Sequence, residues 1–253
     1  MTSAEQPINV SPPRQDVRIT LPDGTIVSST LNTTVEQVLR YAVTTDLINL
    51  PAQMMAAVCD GHLRELTHTL SKDVTMSPVT LAESDGGRIY RRSLVLLMTS
   101  AAQELWPDVH ISVDYAIPDG GFFCQTTNRA ALDEADVKRL EHHMRSIVEA
   151  NAPIIQRDLA MADALELFRA RGATDKVRLF EQRSEKTISL YTLREHENYY
   201  FGYMVPSTAY LNLFRLIHLE DGFILQYPLT KDPTKLYPIQ DYSKIQAVFH
   251  RTS

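Results

Sequence analysis

The chain has 253 residues, of which 44% are apolar and 22% charged, with a formal charge of −6 at pH 7. That balance belongs to a globular chain of one large or two smaller domains, and the acidity excludes a molecule whose whole surface attracts a phosphate backbone, though not a local basic patch. The two cysteines, Cys59 and Cys124, show no CxxC or Cys/His spacing, so a reducing, cytoplasmic setting is expected and a disulfide scaffold is not.

Residues 1–16 are polar, carry Pro7, Pro12 and Pro13, and lack the apolar stretch of a signal peptide, so they read as a flexible leader. Val17 to Leu21 and Thr25 to Thr30 read as strands joined by a Pro22-Asp23-Gly24 turn. Thr33 or Thr34 can cap a short helix whose buried stripe is Val35, Val38, Leu39 and Ala42. Asp60-Gly61 turns between strands at Ala56–Cys59 and His62–Leu66, and Val79–Leu81 offers a last strand. Two hairpins around one helix make a small β-grasp domain, residues 17–82.

Asp85-Gly86-Gly87 reads as a boundary turn, after which the elements lengthen. A helix is expected from Arg88 to Leu105, stopped at Trp106-Pro107-Asp108 because proline cannot continue the ladder. Its longest unbroken apolar run, Leu94 to Met98, is far shorter than a membrane span, so no membrane partner is expected. Strands at Val109–Val113 and Phe122–Gln125 flank a Pro-Asp-Gly-Gly turn. A second helix spans about Asp133 to Ala150, with Val137, Leu140, Met144, Ile147 and Val148 at helical spacing. A third, Met161 to Arg171, buries Met161, Ala164, Leu165 and Phe168 and stops at Gly172. Strands follow at Val177–Phe180, Thr187–Leu193, Asn198–Gly202, Leu211–Leu219 and Phe223–Tyr227, and Tyr242 to His250 reads as the start of a linker helix. The fold class is α+β, with a second domain over residues 83–240 and the linker helix over 241–253.

Few motifs carry chemistry. A P-loop needs GxxxxGK[ST], and no Gly-Lys pair exists, so Gly86-Gly87 and Gly120-Gly121 read as turns and the segment itself needs no ATP. Of the eight histidines, His142 and His143 are adjacent on a helix and the others are scattered, so no metal site is expected. Neither cysteine has a basic sequence neighbour that would activate a thiolate. The segment from Tyr199 to Thr208 stands out: Tyr199, Tyr200, Phe201 and Tyr203 crowd one short stretch. They serve either as core-packing strand aromatics or as the lining of a pocket that stacks on a flat ring.

The segment Val17 to Thr25, VRITLPDGT, resembles the opening of a TGS domain, and Val58 to Leu66 resembles its second hairpin. Arg92-Ser93 with Leu97, then Gln103 to Asp108, resembles the first helix of the threonyl-tRNA synthetase editing domain. Ile117 to Phe123, Arg171 to Leu179 and Gly202 to Thr208 continue that register. The editing family places HSxxH on the first helix and CxxxH before Val-Pro. Here those four positions read Arg92, Leu96, Tyr200 and Met204, which lack a usable acid–base group: arginine stays protonated and a phenol titrates near about 10. The particular segment Tyr199 to Thr208, with Phe223 to Pro228, is similar to uridine kinase-like proteins in which TGS and editing-like domains precede a P-loop nucleoside kinase domain.

The resemblance therefore implies a non-catalytic binding or regulatory module with a degenerate editing pocket edged by Arg92, Leu96, Tyr200, Tyr203 and Met204. It also implies a C-terminal kinase domain of the same chain as partner, ATP and magnesium confined to that domain, and a nucleotide or RNA as ligand. The alternatives are a stand-alone tRNA-binding or aminoacyl-tRNA deacylase-like protein, and a spacer or dimerisation unit with no ligand.

Overall fold

In a computed structural model, residues 14–170, 172, 174–181 and 186–239 are described. The linker helix expected at Tyr242 to His250 lies outside them. The described residues form two compact units, one from 14–49 with 57–78 and the other from 50–56 with 79–239. The whole is mixed α+β.

In the first unit, strand β1 (Asp16–Thr20) alternates exposed and buried residues and pairs antiparallel with β2 (Ile26–Thr30). Helix α1 (Val35–Thr44) starts at Thr34, not Thr33. The Thr34 hydroxyl accepts the Gln37 amide at 3.2 Å, and the Gln37 side chain accepts the Thr34 amide at 2.9 Å, which satisfies two otherwise orphaned donors. The buried stripe is Val35, Val38, Leu39 and Ala42, as the spacing requires. Strands β3 (Met54–Cys59) and β4 (His62–Glu65) meet at Asp60-Gly61, whose φ values of +49° and +79° suit a tight hairpin turn. The last strand, β5 (Val74–Thr80), begins five residues before the expected Val79. Its early part alternates polar and buried positions, so no continuous apolar run announces it. The sheet order is β2-β1-β5-β3-β4, with β1 and β5 parallel.

In the second unit helix α2 (Ser84–Leu105) corrects the expected boundary turn: Gly86 and Gly87 lie in its first turns. The reason is steric. A Cβ on Gly86 would sit 1.9 Å from the Thr80 carbonyl oxygen, so the helix can start this close to the preceding strand only with glycine there. The Glu83 carboxylate fastens the corner by accepting the Thr80 amide and hydroxyl at 2.8 and 3.0 Å.

Strands β6 (Ile111–Ile117) and β7 (Gly121–Thr126) form a hairpin with a register shift between Val113 and Tyr115. Gly120 turns it at φ +85°, while Gly121 belongs to β7, so the Gly120-Gly121 pair is only half a turn. Helix α3 (Glu134–Glu149) is capped by Asp133, which accepts the Asp136 amide at 2.8 Å, and buries Val137, Leu140, Met144 and Ile147. Strand β8 (Ile154–Ala160) was not legible: it is an edge strand with only Ile154 buried, so its sequence carries no alternation.

Helix α4 (Met161–Ala170) buries Ala164 and Phe168, with Met161 and Leu165 only partly covered. The segment expected as a strand at Val177–Phe180 is instead part of helix α5 (Thr174–Glu181). Phe180 stacks on Phe168 at 5.4 Å, while Leu179 stays 47% exposed, so the apolar spacing is that of a helix face. Strand β9 (Thr187–Leu193) pairs with β8 and with β10 (His196–Tyr199) in the order β10-β9-β8. The strand expected at Asn198–Gly202 ends at Tyr199, because Gly202 adopts φ +103° and the chain bends out of the sheet. Leu211 and Phe214 turn inward around a 3-10 turn at Thr208–Tyr210, so β11 (Arg215–Leu219) starts four residues later than Leu211. It pairs with β12 (Gly222–Gln226), and the second sheet runs β11-β12-β7-β6.

Candidate functional site

Helix α2 presents Arg92, Leu96 and Thr99 at successive turns of one face, the spacing that aligns side chains on a helix. The segment that leaves β10 crosses this face and is fastened to it at three points. The Tyr200 hydroxyl lies 3.3 Å from the Thr99 hydroxyl. Arg92 Nη1 donates to the Tyr203 carbonyl at 2.5 Å. The Ser93 hydroxyl accepts the Val205 amide at 3.0 Å while donating to the Ile89 carbonyl at 2.8 Å. One helical turn before that serine, the Tyr90 hydroxyl donates to the Leu213 carbonyl and accepts the Leu213 amide, at 2.9 and 3.1 Å.

Each of the five expected pocket residues now has a place. Tyr200 and Tyr203 line a cavity of about 170 Å³ together with Gln156, Ser189, Tyr191 and Phe201. Arg92 stands behind it: a Cβ on Gly202 would meet the guanidinium at 2.8 Å, so the glycine is what lets the loop lie flat on the arginine. Leu96 and Met204 are buried, at 0% and 2% exposure, and do not line the cavity. Sequence reasoning missed Tyr191 and Gln156. They pair across β9 and β8, a juxtaposition that only the sheet register creates.

The electrostatics oppose acid–base chemistry. Burial pushes the Tyr200 phenol up to about 12, against the pull of its Thr99 contact. Burial, helped by the Arg88 and Arg91 charges, draws Arg92 below its ordinary value, but a guanidinium keeps its proton at any working pH. Burial raises the thiol of Cys59 to about 11 and that of Cys124 further, so neither is a ready nucleophile. Among the described residues no group of three or more His, Cys, Asp or Glu side chains could hold a metal ion, and no helix is long and apolar enough to cross a membrane.

A second, larger cavity of about 520 Å³ lies beyond Thr99, with Gln103, His110, His196 and Asn198 among its walls. Glu197 beside it is held by a two-pronged contact from Arg157, at 2.7 and 3.0 Å.

No protein-family model matches the chain. Proteins similar to the chain include threonine–tRNA ligases. Over 210 residues the chain is 29% identical to those of Streptococcus mutans serotype c and Streptococcus gordonii, and 30% identical to that of Streptococcus pneumoniae serotype 19F. The match covers 82% of this chain and 31% of each relative, so the chain spans about a third of the length of these curated relatives. This similarity supports a threonyl-tRNA synthetase-like region and extends across most of the chain. It supplies no counterpart for the remaining two thirds of each ligase.

Proposed function

We propose that this chain is a non-catalytic binding module built on the TGS and editing-like parts of a threonyl-tRNA synthetase-like protein. The observation that carries the reading is Arg92. Its guanidinium fills the space under Gly202 and holds the Tyr203 carbonyl, so a fixed cation occupies the helix position where hydrolysis would need a group able to exchange a proton. Leu96 and Met204, packed in the interior, add no such group. What remains is a small aromatic cavity lined by Tyr199, Tyr200, Phe201 and Tyr203, with the buried Tyr191 behind them and with Gln156 and Ser189, which bond each other at 2.9 Å, on its polar side. Such a lining suits a flat ring that stacks on aromatics and is oriented by a few hydrogen bonds, as a nucleobase does.

The ligase relatives favour RNA or a nucleotide as the source of that ring. The likeness of the segment Tyr199 to Thr208 to uridine kinase-like proteins adds a partner: a nucleoside phosphotransferase domain in the same polypeptide, which this module would regulate or dock. That partner rests on the segment Tyr199 to Thr208 together with Phe223 to Pro228.

Calorimetry with nucleoside monophosphates tests the pocket. Tyr200→Ala and Tyr203→Ala are expected to weaken binding by about 1–3 kcal/mol each, the usual loss when a stacking aromatic is removed. Equal binding by both variants and the parent chain would refute the pocket.

A further inference from the structure

The first unit carries a cavity that has no part in the site on α2. It holds about 200 Å³ and has Cys59, Arg64, His68, Ser71 and Lys72 among its walls, at the end of β3, on β4 and on the loop leading into β5. Its cations, Arg64 and Lys72, outnumber its one anion, Asp60. Arg64 is half-buried, yet among the described residues it forms no hydrogen bond or ion pair. Lys72 reaches Asp60 only at 3.4 Å and is 79% exposed. Asp60 is the one acidic residue in the lining, and one of its oxygens is taken by the Thr75 amide and hydroxyl, at 2.9 and 3.1 Å. His62 also lines the cavity, with Nδ1 3.0 Å from the Asp60 carbonyl.

A half-buried guanidinium without a counter-charge is costly, and the field it creates is felt by its neighbours. Burial and then the Arg64 charge draw the His68 imidazole below its ordinary value, and the same charge opposes the upward push of burial on the Cys59 thiol. The cavity is thus a positive concavity on a chain whose overall charge is −6. The donors differ in kind: a planar fork at Arg64, an ammonium at Lys72, imidazoles at His62 and His68, and a hydroxyl at Ser71. A carboxylate offers only two oxygens to such a set. A tetrahedral phosphate offers three or more, and a guanidinium matches two of them at once.

We propose that this cavity binds a phosphate group, with Arg64 as its principal ligand and His68, Lys72 and Ser71 completing the shell. The site stands apart from the aromatic pocket and does not depend on the function proposed for it.

The test is a calorimetric titration of the full chain with inorganic pyrophosphate, followed in parallel by amide NMR shifts. Saturable binding is expected, with the largest shifts in residues 59–74. Arg64→Gln is expected to lower affinity about tenfold to a hundredfold, the usual consequence of losing a charged donor to an anion. Lys72→Gln, at an exposed position, should lower it severalfold, and it decides the matter if the arginine variant fails to fold. Arg215→Gln, in the second unit, should leave the affinity unchanged. A short single-stranded RNA distinguishes the sources. If it displaces pyrophosphate and its binding falls steeply with salt, the phosphate is that of a nucleic-acid backbone; if it does not compete, the phosphate is a free or small-molecule one. No saturable binding of either probe, or binding that Arg64→Gln and Lys72→Gln leave unaltered, overturns the proposal.

Discussion

At the scale of single residues, Arg92 sets the character of the site. Its contact with the Tyr203 carbonyl and its packing under Gly202 make the arginine a structural post. Arg92→Ala is therefore expected to destabilise the fold by about 1–3 kcal/mol, because it strands a partly buried carbonyl. Gly202→Ala meets both a strained φ of +103° and the guanidinium, and its thermal midpoint should fall as well. Thermal unfolding of the two variants and of their double mutant measures the coupling. The account expects the double mutant to lose less than the sum of the singles, since removing the arginine gives the new methyl group room. The residue types at 92, 96, 200 and 204 were legible in the sequence, since an arginine, a leucine, a tyrosine and a methionine declare their chemistry. What they touch was not legible. That Leu96 and Met204 face the interior while Tyr200 and Tyr203 face a cavity depends on how the loop after β10 leaves its sheet.

At the scale of elements, the helix capped by Thr34 and the hairpin at Asp60-Gly61 were readable because local chemistry decides them. Gly86 was misread for a physical reason. A glycine pair announces backbone freedom, but here the need is for close approach to the Thr80 carbonyl, which only the three-dimensional corner reveals. Gly86→Ala should consequently be among the most damaging small substitutions, with a clear drop in thermal midpoint, although alanine normally favours a helix by about 1 kcal/mol over glycine. A midpoint raised by this change would refute the steric argument. Helix α5 and strand β8 were missed because short elements take their identity from neighbours. Phe180 joins a core with Phe168, Ile188 and Leu190, and β8 is fixed by its register with β9.

The hairpins of the first unit also make an acid-sensitivity prediction. Hydrogen bonds from Thr75 hold the Asp60 carboxyl below its ordinary value of 3.8, and the Arg14 side chain does the same for Asp73. A carboxyl whose folded value is depressed adds stability that is complete above its unfolded value and is lost as pH falls through the folded one. Acid unfolding of this unit should therefore steepen below about pH 4, and Asp60→Asn should flatten that limb of the curve. An unchanged acid limb in the variant would remove Asp60 from the account.

At the scale of the whole molecule, the similarity to threonine–tRNA ligases covers 82% of the chain but 31% of each relative, so it supports a region and not an entire enzyme. The α+β class followed from alternating short strands and longer helices. Residues 50–56 belong to the second unit although they lie within the sequence of the first. The proposed phosphotransferase partner makes a claim about size. An antibody against this segment should detect, in the source cell, a polypeptide well above the 28.6 kDa of the chain; a band at that mass would leave the module acting alone.

The proposal that a chain similar in sequence to part of threonine–tRNA ligases recognises a ligand without hydrolysing an ester is tested by a deacylation assay. Mischarged threonine tRNA is incubated with an excess of the chain, and loss of the aminoacyl ester is followed against buffer alone. With Arg92 fixed under Gly202 and the Tyr200 phenol held up at about 12, the ester should decay at the buffer rate. Release of the amino acid faster than in buffer alone would show that the ester is hydrolysed by the chain and would overturn the reading.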